Sequence, residues 1–251
     1  MNINWDAKEY QANFNFVYNY GQDVLSLIDV PQNSYVIDFG CGNGELTNKL
    51  KAKGYDVLGI DASKEMVSLA KTNHPDISFK QANIIDFKSD KLADAIFSNA
   101  VLHWIDEDKQ QIMLNNIASN LKSGGLFAFE FGGYGCGASV HDELAKLFAE
   151  HNLTYTMPFY FSTIGMYAPK LEQAGFKVIY ATLFDRPTAV KGENGIVDWI
   201  KMFDKTPFIG VEKSLAEKIM FTAQDRLAAK LYKDKQWYVD YVRIRMKNIK
   251  L

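Results

Sequence analysis

Apolar positions recur along this chain at two different periods. Short β-branched and aromatic runs, Tyr35–Phe39, Asp56–Ile60, Ile77–Gln81, Ala93–Asn99 and Gly125–Phe131, read as buried strands. Between them Glu45–Lys53, Ser63–Thr72 and Lys109–Leu121 carry apolar residues three or four apart, the helical spacing. Ser63, three residues before Met66, is placed as a helix N-cap, and Gly124-Gly125 reads as the stop after Leu121. Strands alternating with helices predict a doubly wound α/β fold, a parallel sheet covered on both faces.

The second half is less regular. His141–His151 reads as a helix, TMPFYFST as an aromatic loop, and Ile164–Ala174 as a helix closed by Gly175. A strand over Lys177–Phe184 follows, then helices over Gly195–Phe203 and Glu212–Tyr232. Trp237–Met246 alternates, with Tyr238, Asp240, Val242, Ile244 and Met246 on one face and Val239, Tyr241, Arg243 and Arg245 on the other. Residues 186–235 thus stand between the last two strands, too long a stretch for a loop, and predict a helical cap. The expected division is 1–185 with 236–251 as the main domain and 186–235 as the insertion.

Composition narrows the partners. An apolar share of 47% with 23% charged residues suits an ordinary globular chain, and a net charge of −2 argues against general affinity for nucleic acid or anionic membranes. The start, MNINWDAKEYQANF, lacks the basic and apolar regions of a signal peptide, and no run approaches the ~18 apolar residues of a membrane span. Cys41 and Cys136 are far apart and suggest free thiols in a reducing compartment, so a cytoplasmic location is expected; a monomer or homodimer is the expected assembly. No cluster has metal-ligand spacing.

The chemistry concentrates after the first strand, in VIDFGCGNGELTNKL. Gly40, Gly42 and Gly44 permit a tight reversal and a close ligand approach, and the helix that follows offers free N–H groups to an anion. Dinucleotide sites carry Gly-x-Gly-x-x-Gly; here the third glycine is one residue early. Asp38, at the strand end, would repel a pyrophosphate and suits a ligand with an ammonium group. Asp61, ending the second strand, stands where a carboxylate accepts both hydroxyls of a ribose. Asn83 could read an adenine edge with Ile84 on its face, and Asn99 ends the fourth strand on the same sheet edge.

The segments DFGCGNG, GIDAS, ANIIDF and SNAVLHW resemble the Rossmann-like, class I S-adenosylmethionine-dependent methyltransferases. WDAKEYQANFNFVYNYG, FYFSTIGMYAPKLEQAGF and TLFDRPT are similar to a bacterial subgroup labelled trans-aconitate methyltransferase-like, and the resemblance spans essentially the whole chain. It implies a mostly parallel seven-stranded sheet whose last strand is antiparallel beside the fifth. It also implies S-adenosylmethionine as cofactor. Carried over, Gly40, Cys41 and Gly42 would contact its methionine part and Asp61 its ribose, with Asp38 and Gly44 also among the cofactor-binding residues. Ala62, Met66, Asn83 and Ile84 would surround the adenine, with Asn99, Ala100 and His103 along the amino-acid end. Asn83 stands where many relatives have aspartate. Tyr10, Phe16 and Tyr20 are candidates to close the cofactor side from an N-terminal helix.

Methyl transfer from a sulfonium needs alignment and exclusion of water before it needs acid–base help. A carboxylate acceptor requires no base; a hydroxyl or thiol does. His103 is the candidate base, or else a residue that packs on the cofactor, and Arg186 is the candidate partner of a substrate carboxylate, or else half of a structural salt bridge. Trp104 and the cap aromatics Phe159, Tyr160, Phe161, Trp199, Phe203 and Phe208 suggest an enclosed pocket, and FGGYGCG a loop on its acceptor side. The resemblance favours O-methylation of a small carboxylate. A hydroxyl, thiol or amine of another metabolite remains open, as do a non-catalytic S-adenosylmethionine-binding protein and a nicotinamide enzyme, the last disfavoured by the glycine spacing.

Overall fold

In the computed structural model, residues 23–251 are described; Tyr10, Phe16 and Tyr20 lie outside them. The strands are β1 (Tyr35–Phe39), β2 (Asp56–Asp61), β3 (Ser78–Gln81), β4 (Ala93–Asn99) and β5 (Leu121–Gly132), then β6 (Phe176–Val190), β7 (Tyr232–Lys233) and β8 (Gln236–Lys250). They form one sheet in the order β3-β2-β1-β4-β5-β8-β6, and the two-residue β7 closes a hairpin onto β8. Strands β1 to β5 run parallel, and β8 enters antiparallel between β5 and β6. That is the expected architecture, with the last strand reversed beside the fifth.

The helices are α1 (Glu45–Ala52), α2 (Lys64–Asn73), α3 (Glu107–Ser119), α4 (Ala138–Glu150), α5 (Ile164–Gln173), α6 (Gly195–Phe203) and α7 (Lys213–Leu231). Ser63 caps α2, its hydroxyl accepting the Met66 N–H at 3.2 Å. Burial on both faces explains why β1 reads as a continuous apolar run. Ile37, Phe39, Phe127 and Phe129 pack under α3 and α5, whereas Val36, Ala95 and Phe97 pack with α1, α2 and Val24–Ile28.

Several element ends differ from expectation by a few residues, and two of the differences have local reasons. The Gly124-Gly125 pair does not end a helix: α3 stops at Ser119, and the glycines sit where the β4–β5 register slips between Ala93–Leu121 and Ala95–Leu126. Strand β6 continues past Phe184 to Val190, so Arg186 is on a strand and not at the head of a cap. Pro187 hid that extension; it is tolerated because β6 is an edge strand with no strand on its outer side among the described residues.

A third apolar cluster joins α4, α6 and α7 to the far ends of β6 and β8. This helical layer therefore draws on α4 as well as on the segment after Val190. Within it the Tyr155 hydroxyl donates to Asp204 Oδ2 at 2.8 Å and lies 2.6 Å from His141 Nδ1, tying α4 to the end of α6.

Candidate active site

At the carboxyl ends of β1 and β2 the chain reverses sharply. The Gly40 and Cys41 N–H groups both donate to the Ile60 carbonyl, at 2.8 and 2.9 Å, which locks the turn to β2. Gly40 has φ +80°, and a Cβ there would stand 2.1 Å from Val101 Cγ2, so no other residue fits. At Gly42, φ +54°, a Cβ would meet nothing within 4 Å: it would project into the cavity a ligand must fill. Gly44 does not line that cavity; it is the N-cap of α1 and packs against Phe79 and His74.

Two buried carboxylates face this turn. Asp61 accepts the Ser63 N–H on Oδ1 at 2.8 Å and the Gly42 N–H on Oδ2 at 3.0 Å, leaving each oxygen a lone pair for a hydroxyl. Burial raises its pKa, and those N–H bonds oppose the rise. Asp38 is pushed up to about 7, mainly by burial and further by Asp61, against the hydrogen bond that Thr47 donates at 2.6 Å.

Ala62, Met66, Asn83 and Ile84 continue the wall on one side, and Asn99 and Ala100 on the other. Asn83 Oδ1 accepts the Ile85 N–H at 3.1 Å, which leaves its NH2 to donate. Ala100 holds φ +59°, anchored by its N–H to the Glu130 carbonyl at 2.7 Å.

His103, in the short 3₁₀ turn Leu102–Trp104, reaches the cavity from beyond β4. The Gly132 N–H donates to its Nδ1 at 3.1 Å. A backbone N–H can only donate, so the neutral ring carries its proton on Nε2 and offers the cavity a donor. Burial, reinforced by Arg243, holds its pKa well below the usual imidazole range. The rings of Phe131, Phe159 and Phe161 surround it at centroid distances of 5.9–6.3 Å.

Trp104, Phe159, Phe161, Trp199 and Phe203 line the far wall, whereas Tyr160 and Phe208 belong to the packed interior. Cys136 is there too, its thiol pushed up by burial. The space these residues surround, open mouth included, is about 1230 Å³.

Arg186 is absent from this wall. Its guanidinium grips Glu130 through two bonds, Nη1–Oε1 at 2.6 Å and Nη2–Oε2 at 3.1 Å, and Arg245 Nε holds the same carboxylate at 2.8 Å. The cation at the cavity is Arg243, which sequence reasoning passed over. It is 7% exposed, lies 4.6 Å over the Tyr241 ring, and has no hydrogen-bond or ion-pair partner among the described residues. The Trp199 indole N–H donates to the Tyr241 hydroxyl at 2.6 Å and fixes that ring. The one sequence signal was positional: Arg243 falls on the same alternation as Val239 and Tyr241, the inward register of the last strand.

Residues 36–125 match the family described as Methyltransferase domain. An uncharacterized methyltransferase of Schizosaccharomyces pombe is 29% identical over 96% of each chain. The trans-aconitate 2-methyltransferase of Methylobacterium nodulans is 26% identical, over 82% of this chain and 81% of its own. Among solved structures, a Bacillus halodurans protein superposes with a TM-score of 0.64 at 14% identity, covering 91% of this chain and 97% of its own. The phosphoethanolamine N-methyltransferase 2 of Haemonchus contortus, solved with S-adenosylhomocysteine, gives 0.61 at 13% identity, over 97% of this chain and 56% of its own.

Proposed function

We infer that this chain, a class I S-adenosylmethionine-dependent methyltransferase, methylates a carboxylate oxygen of a small molecule. Its cofactor supplies a methyl group already activated on a sulfonium; the protein's part is to hold, align and exclude water. The residues fit that cofactor. Gly42 leaves the space a Cβ would fill, Asp61 keeps a free lone pair on each oxygen for the ribose hydroxyls, and the Asn83 NH2 can donate to an adenine ring nitrogen. Asp38, ionised by a neighbouring ammonium, would take the amino-acid end.

Arg243, a buried guanidinium on the cavity wall with no carboxylate of its own, supports an acidic acceptor molecule, and His103 is the observation that carries the carboxylate as the group methylated. An unpaired buried cation costs several kcal/mol, and an anionic acceptor would relieve that cost on binding. At His103, a neutral ring whose lone pair is spent on Gly132 N–H is a poor base, and a carboxylate, already ionised at neutral pH, needs none. The aromatic wall supports a small, enclosed acceptor, and the similarity to trans-aconitate 2-methyltransferase points to the same group.

The test is transfer from S-adenosylmethionine labelled in its methyl group to pooled small carboxylic acids. A methyl ester releases its label as methanol in mild alkali, which is the expected outcome. Label that resists alkali, as in an ether, thioether or methylamine, contradicts the reading.

A further inference from the structure

The segment 99–105 runs along the cavity between its two ends, with Val101 against Gly40 on one side and His103 and Trp104 among the rings on the other. Two contacts hold His103 itself: its Nδ1 accepts the Gly132 N–H, and its carbonyl accepts the Tyr160 N–H at 2.9 Å. The rest of the anchoring comes from a side chain that does not line the cavity.

That side chain is Gln110, near the start of α3 and fully buried. Its Nε2 donates to the Leu102 carbonyl at 2.8 Å and to the Ile105 carbonyl at 2.7 Å, and so brackets the 3₁₀ turn that carries His103 and Trp104. Carbonyls only accept, which fixes the amide's orientation, and its Oε1 takes the Tyr167 hydroxyl at 3.1 Å. Tyr167, also fully buried, belongs to α5 and packs on Phe129 and Phe131 of β5. The loop before α5 carries Phe159 and Phe161, whose rings meet Trp104 at 4.7 Å and His103 at 5.9 Å between centroids. Gln110 and Tyr167 therefore join the two halves of one wall, one half following β4 and the other preceding α5.

Stability alone does not call for an amide here. Its neighbours along α3, Met113, Leu114 and Ile117, are apolar, and exchanging both members of a buried polar pair for apolar groups can be nearly neutral. What the polar pair adds is direction, three hydrogen bonds that admit one placement of the turn. Methyl transfer is sensitive to placement, since a shift of about 1 Å can cost about 100-fold in rate.

We propose that Gln110 and Tyr167 are positioning residues for methyl transfer: through the carbonyls of Leu102 and Ile105 they hold His103 and Trp104 against Phe159 and Phe161, and so fix how the acceptor meets the methyl group. The proposal rests on the methyltransferase assignment and not on the chemical class of the acceptor.

The test reads the His103 ring by NMR in the full chain carrying isotope-labelled histidine. His103 is identified as the signal lost in His103→Phe, and in the wild type it should hold its proton on Nε2, as the Gly132 hydrogen bond requires. Gln110→Met removes all three bonds at similar volume and should shift the ring to a mixture of tautomers. Tyr167→Phe should shift it less, and the double variant no further than Gln110→Met alone. Label passed from S-adenosylmethionine to a protein-free metabolite extract should fall about tenfold or more in Gln110→Met, and less in Tyr167→Phe. S-adenosylhomocysteine affinity should stay within about twofold, because the Ala100 N–H is anchored separately on the Glu130 carbonyl. If Gln110→Met does not fold, Tyr167→Phe decides. A tautomer unchanged in both variants, or transfer unchanged in a variant whose tautomer has moved, overturns the proposal. Alkali-stable label in the wild type would sink the carboxylate acceptor and leave the positioning pair standing.

Discussion

The cavity has two ends built from different materials. Under β1 and β2 it is backbone and carboxylate: a glycine turn pinned to Ile60, with Asp38 and Asp61 held by short local hydrogen bonds. Under β8 it is rings and one cation: Phe159, Phe161 and Trp199 around Arg243 and a donor-only His103. On the proposed reading the first end takes the cofactor, through a main-chain turn and two carboxylates, and the second takes the acceptor, on a surface of side chains from α6, β8 and the loop before α5.

Four substitutions or conditions probe that contrast, in descending size of effect. Gly42→Val puts a branched side chain into the cofactor's space, and S-adenosylhomocysteine affinity should fall by about 100-fold or more, about 2.8 kcal/mol. The residue faces open space at φ +54°, so the fold itself should lose only about 1–2 kcal/mol, measured by denaturant unfolding. Asp61→Ala removes both candidate ribose acceptors and should weaken the same ligand by about 1.5–3 kcal/mol in calorimetry.

Tyr155→Phe acts on the other end. It strips the donor from buried Asp204 and should cost about 1–3 kcal/mol of stability. Cofactor affinity should stay constant while acceptor binding weakens, because the Tyr155–Asp204 pair holds the helical layer that carries Trp199 and Phe203.

The last effect is pH. Asp38 is raised from 3.8 to about 7 in the folded chain, so between those values the native state holds a proton the unfolded state has lost. Its contribution therefore makes the ligand-free protein less stable as pH climbs from about 4 to about 7, with no further change above. If the cofactor's ammonium binds the ionised carboxylate, affinity should rise about tenfold from pH 6 to pH 8, the change in ionised fraction across a pKa near 7. Asp38→Asn should flatten both profiles, in thermal melts and in titrations.

The same division explains what could be read from the amino acids alone. Strands β1 and β4 and helix α6 fall on their expected bounds, because each is a compact apolar run or stripe flanked by clear turns. Asp38, Gly40, Gly42, Asp61, Asn83 and Asn99 all line the cavity because their positions follow from strand ends in order along the chain. Arg243 was not legible in that way. Its importance depends on the β5–β8 and β6–β8 registers, which put Glu130 opposite Arg245 and leave Arg243 opposite Gly132, a residue with nothing to offer a cation. Arg186 was open in sequence between a substrate carboxylate and a structural salt bridge, and the salt bridge to Glu130 is what forms. Only the register reveals that its partner is already inside the protein.

Titration of S-adenosylhomocysteine into the wild type, Asp61→Ala and Arg243→Gln tests the separation of the two ends most directly. The account predicts a loss of about 1.5–3 kcal/mol for Asp61→Ala and a change within about twofold for Arg243→Gln. Equal losses in the two variants, or a larger one for Arg243→Gln, would mean that the guanidinium serves the cofactor, and the division of the cavity into a cofactor end and an acceptor end would fail.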